Sequence, residues 1–184
     1  MQLFSKKLSE VNLVLLVAAF LTLTGNFTFL EKTLQIYPLS ENWLFLGSLF
    51  LFLFTFLSAL LIIFCFRWSL KPILIALLLI SAVLTYSTNN FGVVFDHNMI
   101  TNTFETDTSE LSDLVSIKSL IYFCLLGLIP STYVWKIQLV KSSIKTQLWQ
   151  RVKMLLALIV VFVIVVLTFS KHYTSFAREN RDLR

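Results

Sequence analysis

Trp43 to Phe66 reads WLFLGSLFLFLFTFLSALLIIFCF, a run without a single Asp, Glu, Lys, Arg or His. A helix rises about 1.5 Å per residue and the hydrocarbon core of a bilayer is roughly 30 Å thick, so this run is long enough to cross. Lipid offers no partner for a backbone N–H or C=O, and a helix satisfies those groups within the segment itself. Working outward, four more segments meet or approach the same length: Val11 to Leu30, Leu70 to Tyr86, Ser119 to Trp135 and Val152 to Ser170. The fifth is again free of charge between Met154 and Ser170. Pro130 removes one backbone donor from the fourth and predicts a kink there. The expectation is an all-α membrane protein of about five transmembrane helices.

Composition agrees. Of 184 residues, 57% are hydrophobic and only 14% charged, with a mean hydropathy of +0.82, far more apolar than a soluble domain of this length can hide. Eighteen Phe are at home against lipid tails. The net charge of +5 does not indicate nucleic acid, because the basic residues lie in short clusters between apolar runs and form no basic face. Cys65 and Cys124 fall inside apolar runs, where a thiol behaves as a small hydrophobe, so neither a disulfide framework nor a redox pair is indicated. Lys6 and Lys7 ahead of Val11 resemble the start of a signal peptide. The run that follows is too long and lacks a small-residue cleavage site, and it reads as a retained helix. No internal repeat supports a transporter built from two similar halves.

Basic residues close to span ends stay on the cytoplasmic side. Lys6 and Lys7, then Arg67 and Lys71, then Lys136, Lys141, Lys145, Arg151 and Lys153 occupy three regions on one side. The other side receives Glu31, Glu41, Asp96, Glu105, Asp107, Glu110 and Asp113, with Lys32 and Lys118. The amino terminus is therefore expected in the cytoplasm and the carboxyl terminus in the periplasm of a bacterial inner membrane. The basic tail from Lys171 to Arg184 runs against the charge rule, a conflict that weakens if a large domain follows.

Ser87 to Ile117 is the one long, polar, acidic connection, and function is sought there. Read as an amphipathic helix, it gathers Ile100, Phe104, Leu111, Leu114 and Val115 on one side. Asn102, Thr106 and Glu110 recur every four residues on nearly the opposite side, an amide, a hydroxyl and a carboxylate in line. Asp107 followed by Glu110 is also a pattern that starts a new helix, which would break the line at Thr106. A merely solvated acidic face is the bland alternative. His97 and His172 fall on separate outer segments and make a poor metal set, and Asn12 and Asn26 read as interhelical hydrogen-bonding groups.

The string from Tyr86 through Asp96, Met99, Ile100, Asn102, Glu105, Thr106, Asp107, Glu110 and Asp113 to Leu114 resembles the signature loop of the lipid A phosphoethanolamine transferases, the family that includes the mobile colistin-resistance enzymes. Thr24 to Phe29, Tyr37-Pro38, Leu70-Lys71-Pro72, Gly127 with Pro130, and Ser170 to Phe176 are similar to family segments as well. The likeness runs along essentially the whole chain in order. Ala177 departs from it, standing where the family commonly has Phe.

The resemblance implies five membrane helices followed by a periplasmic, zinc-dependent domain similar to alkaline phosphatases. A threonine of that domain takes phosphoethanolamine from phosphatidylethanolamine and passes it to lipopolysaccharide, which confers polymyxin resistance. This chain is expected to be the membrane anchor and donor-binding part, inactive alone. The nucleophile is expected outside it, and so is the zinc, with no cofactor of its own. Its expected partners are phosphatidylethanolamine, lipid A, membrane lipids and the missing catalytic domain, and not nucleic acid. The family's Asn, Thr and Glu map onto Asn102, Thr106 and Glu110, with Tyr86 and Asp107 as further substrate-contact candidates. A carboxylate beside neutral acceptors suits an ethanolamine head group, a cation with three donors. The alternative is a non-enzymatic, truncated multi-pass membrane protein acting as a lipid-binding or assembly partner. Reading the coding DNA beyond Arg184 separates the two.

Overall fold

The computed structural model describes residues 7–91, 116–140, 142–170 and 173–174. Their helices are α1 (Glu10–Gly25), α2 (Phe27–Ile36), α3 (Leu39–Phe64), α4 (Leu70–Phe91), α5 (Ile117–Tyr122), a π-helical turn (Phe123–Leu128), α6 (Ile129–Lys136) and α7 (Ile144–Thr168). Four stretches are long and apolar enough to cross a membrane: Asn42–Phe64, Leu70–Asn90, Ile117–Lys136 and Ile144–Thr168. With the shorter α1 they make five legs, and the contacts between their ends show that successive legs alternate in direction.

The first leg departs from the expected single helix over Val11 to Leu30. It starts cleanly, with Ser9 Oγ accepting from the Asn12 N–H at 3.1 Å, and breaks at Asn26, whose φ of −110° and ψ of 18° leave the helical range. The cause is local. Thr22, Thr24 and Asn26 all turn their side chains back onto carbonyls four residues earlier, at 2.8, 2.8 and 3.2 Å, and such back-bonding competes with the helical ladder. Gly25 sits at a close approach to α4, where an added Cβ would meet Ser81 Oγ at 3.3 Å. At 1.5 Å per residue α1 is about 24 Å long, and α2 continues the leg and touches α4.

Beside Pro130, where a kink is expected, the α-helical ladder of the fourth leg is interrupted. The interruption is a widened turn: Ile129 N–H bonds to Cys124 O, five residues back, and Pro130 then occupies the first turn of α6. A π-bulge of this kind accommodates a residue that has no N–H to give. Within the turn, Gly127 presses on α4, with Ala82 Cβ and Leu79 Cδ2 only 3.2 and 3.3 Å from where a Cβ would stand. Four further boundaries move. Asn42 is non-helical, so the continuous part of α3 begins there and it ends at Phe64. The third leg runs to Phe91, beyond Tyr86. The fifth begins at Ile144 and not at Val152, which carries Lys145 and Arg151 onto a helix.

Leu13, Val14, Val17, Leu70, Leu74, Leu78 and Val134 are fully enclosed, and α1 packs against α3, α4 and α7. The first leg is thus the centre of the bundle. The outside is as apolar as the inside, with Phe64, Ile144 and Leu167 exposed, as lipid-facing helices require.

Candidate functional site

The two ends of this bundle are chemically different. At the end carrying Lys71 and Lys136, Arg151 reaches from the second turn of α7 into the bundle and is 8% exposed. Its Nη2 donates to Glu10 Oε2 at 2.8 Å, joining the first and fifth legs across 141 residues of sequence. Its Nη1 donates to Ile62 O at 3.0 Å and Cys65 O at 2.6 Å, carbonyls left open where α3 stops, and the guanidinium lies 5.5 Å from the Phe66 ring. A buried charge is tolerated only when paired and hydrogen-bonded, and here both conditions are met. Neither residue was singled out from the sequence. The available signal was that Glu10 is the one carboxylate before Glu31, sitting among lysines at a span end.

At the opposite end, Tyr86 Oη lies 2.9 Å from Ser116 Oγ, and the Tyr86 ring meets Tyr122 edge-on at 5.7 Å. Ser116 caps α5, accepting from the Ser119 N–H at 3.1 Å while Ser119 Oγ accepts from the Ser116 N–H at 3.0 Å. Tyr86 O accepts from Asn90 Nδ2 at 2.9 Å, one turn along α4. The residues on either side of the acidic segment 92–115 are therefore drawn together by one hydroxyl pair. Of the five residues expected to contact substrate, Tyr86 is described and lies within α4, not at the start of a loop. Asn102, Thr106, Asp107 and Glu110 lie outside the described residues, as do His97 and His172 and the amphipathic helix expected over that connection.

A second hydroxyl pair fastens the far end of α7. Ser48 Oγ donates to Phe45 O at 2.7 Å and lies 3.0 Å from Tyr173 Oη, within hydrogen-bonding reach. The Tyr173 ring packs on Phe45 and Phe52 at 5.7 and 5.6 Å, and Phe52 continues to Phe162 at 4.9 Å. Burial pushes the Tyr173 phenol above its usual range, and the Ser48 hydrogen bond works against that shift. Ser48 was missed in the sequence because a serine inside an apolar span reads as helix filler. Among the described residues, no three His, Cys, Asp or Glu side chains gather to hold a metal, so they offer zinc no cradle.

A family model described as "Phosphoethanolamine transferase EptA/EptB" matches residues 53–184. Phosphatidylethanolamine transferase Mcr-1 of Escherichia coli is 34% identical over 182 residues, covering 98% of this chain and 34% of that protein. Mcr-2 of Escherichia coli is 33% identical over 169 residues, covering 92% and 31%. Phosphoethanolamine transferase EptA of Escherichia coli K12 is 26% identical over 174 residues, covering 92% and 32%. Among solved structures, the integral membrane protein lipooligosaccharide phosphoethanolamine transferase A from Neisseria meningitidis superposes with a TM-score of 0.87, at 19% identity, over 96% of this chain and 33% of that one. The chain spans about a third of the length of the curated relatives it matches.

Proposed function

The chain belongs to the phosphoethanolamine transferase EptA/EptB family, and from that premise we propose that it is the membrane anchor and donor-binding part of a transferase moving phosphoethanolamine from phosphatidylethanolamine to lipid A or another lipopolysaccharide group. The names of Mcr-1 and the Neisseria protein support the donor and the acceptor class. The bundle lies in the bacterial inner membrane, with the 92–115 segment and the carboxyl terminus in the periplasm, where phosphoethanolamine reaches lipid A. The chain by itself holds donor without transferring it. The nucleophile and the zinc that activates it belong to a periplasmic domain outside these residues.

Glu110 supplies the negative charge for the ethanolamine ammonium, and Asn102 and Thr106 supply neutral acceptors beside it. Tyr86 and Asp107 are further substrate-contact residues. The observation that carries this reading is the Tyr86–Ser116 pair at 2.9 Å, which ties the two approaches to the acidic segment together at the end remote from Arg151. A segment anchored at both ends loses less freedom when a head group settles on it. In cells carrying the complete gene, Glu110→Gln should lower phosphoethanolamine on lipid A roughly tenfold or more at equal protein level, the loss expected for a hydrogen bond to a charged group. Undiminished modification by mass spectrometry would remove Glu110 from the site.

A further inference from the structure

The end of the bundle that holds Arg151 carries a second feature, one that donor binding at the opposite end does not use. Leu8 N–H donates to Gln138 O at 3.0 Å and Val140 N–H donates to Leu8 O at 2.9 Å, a short parallel bridge that draws the chain ahead of α1 onto the connection after α6. The bridge brings Lys7 beside Lys71, in the first turn of α4, and Lys136, the last residue of α6, and the three lysines line one open cleft of about 770 Å³. The rest of the described lining is Trp135 and residues 137–140, and none of these described residues is a carboxylate. Lys71 Nζ donates to Trp135 O and Ile137 O, both at 2.8 Å. These two bonds fix the ammonium at the cleft and engage two of its three donors. An anion placed in the cleft meets attraction from each of the three lysines that line it.

The tryptophans indicate how deep the cleft lies. Trp68, Trp135 and Trp149 are 93%, 73% and 60% exposed, and all three stand at this end of the bundle, where α3 and α6 finish and α7 begins. Exposed tryptophan in a membrane protein favours the level of the lipid head groups. The three lysines are therefore at the height of lipid phosphates, and Ile137, Leu139 and Val140 give the cleft an apolar wall suited to a glycerol backbone and the start of an acyl chain. Basic pockets between membrane helices are suited to anionic head groups for this reason. We propose that the cleft framed by Lys7, Lys71 and Lys136 binds the phosphate-bearing head group of an anionic phospholipid in the leaflet at this end of the bundle. The bound lipid bridges the chain before α1, the start of α4 and the end of α6, and so reinforces the Leu8–Leu139 pairing.

The plainer account, in which lysines only orient the chain in the membrane, makes every lysine at this end equivalent. The test is native mass spectrometry of the protein taken from vesicles of phosphatidylcholine, phosphatidylethanolamine and phosphatidylglycerol. The wild type should retain phosphatidylglycerol in preference to phosphatidylethanolamine. Lys7→Gln, which alters an exposed side chain ahead of α1 and so leaves folding intact, should lower that retention roughly fivefold, and Lys7→Gln with Lys136→Gln by about the square of that factor. Lys145→Gln with Lys153→Gln, exposed on α7 and away from the cleft lining, should leave it unchanged. Equal loss in this control pair, or equal retention of phosphatidylethanolamine, would overturn the proposal. Displacement of phosphatidylglycerol by inorganic phosphate would make the ligand a soluble anion and overturn the lipid assignment.

Discussion

Arg151 and Glu10 close one end of the bundle with a buried charge pair, while Tyr86 with Ser116 and Tyr173 with Ser48 close the other with neutral, part-buried hydroxyls. The two solutions differ in what happens when they are disturbed. A buried guanidinium deprived of its carboxylate, or the reverse, is stranded in a medium that solvates it poorly, so the charged end is either intact or badly damaged. A hydroxyl that loses its partner in a part-buried site recovers most of its hydrogen bonding from water, so the opposite end loosens by degrees. One end holds the helices in register, and the other yields by small amounts.

The largest expected effect comes from breaking the charged end. Arg151→Ala leaves Glu10 buried without a counter-charge and the Ile62 and Cys65 carbonyls without their donor, and should destabilise the bundle by about 3–5 kcal/mol, read from thermal unfolding in detergent. Glu10→Leu combined with Arg151→Met should cost clearly less than the sum of the two single changes. A loss from Arg151→Ala no greater than that from a single hydroxyl deletion would sink the contrast between the ends.

A smaller effect is expected at the opposite end. Tyr86→Phe removes one hydroxyl and keeps the ring on Tyr122, for a loss of about 0.5–1.5 kcal/mol. A double-mutant cycle with Ser116→Ala should show that the two changes are not additive, and strict additivity would mean that the pair does not bind the two segments together. The smallest effect depends on pH. The Tyr173 phenol is raised above its ordinary value of 10.0, so the folded protein keeps that proton longer than the unfolded chain does. Its contribution to stability is complete below pH 10 and falls away as pH rises from there through the folded-state value. Tyr173→Phe should lack this alkaline decline in unfolding temperature. An identical decline in the variant would assign it to other groups.

Much of the architecture was legible in the residue order because lipid burial is nearly additive along a chain: a charge-free run as long as Trp43 to Phe66 announces a crossing wherever its neighbours lie. The grouping of Lys7, Lys71 and Lys136 at one end was legible for the same reason. Exact ends were not. Asn26 breaks the first leg through its own side-chain hydrogen bond to Thr22 O, and α7 starts at Ile144 although its first two turns are too polar to read as membrane. Of the proposed substrate contacts, the sequence nominated all five from pattern and family likeness, and the described residues add a partner for Tyr86 alone.

By itself the sequence determined the solvent this protein folds in, the number and alternation of its legs, which end is basic, and its family. Each of these follows from local composition or from the order of short motifs. Only the tertiary structure decided that Arg151 belongs to Glu10, that Leu8 pairs with the 138–140 connection, and that Gly127 lets the fourth leg close on α4. Those choices depend on which helix faces stand against each other, a property of packing that no stretch of residues carries alone.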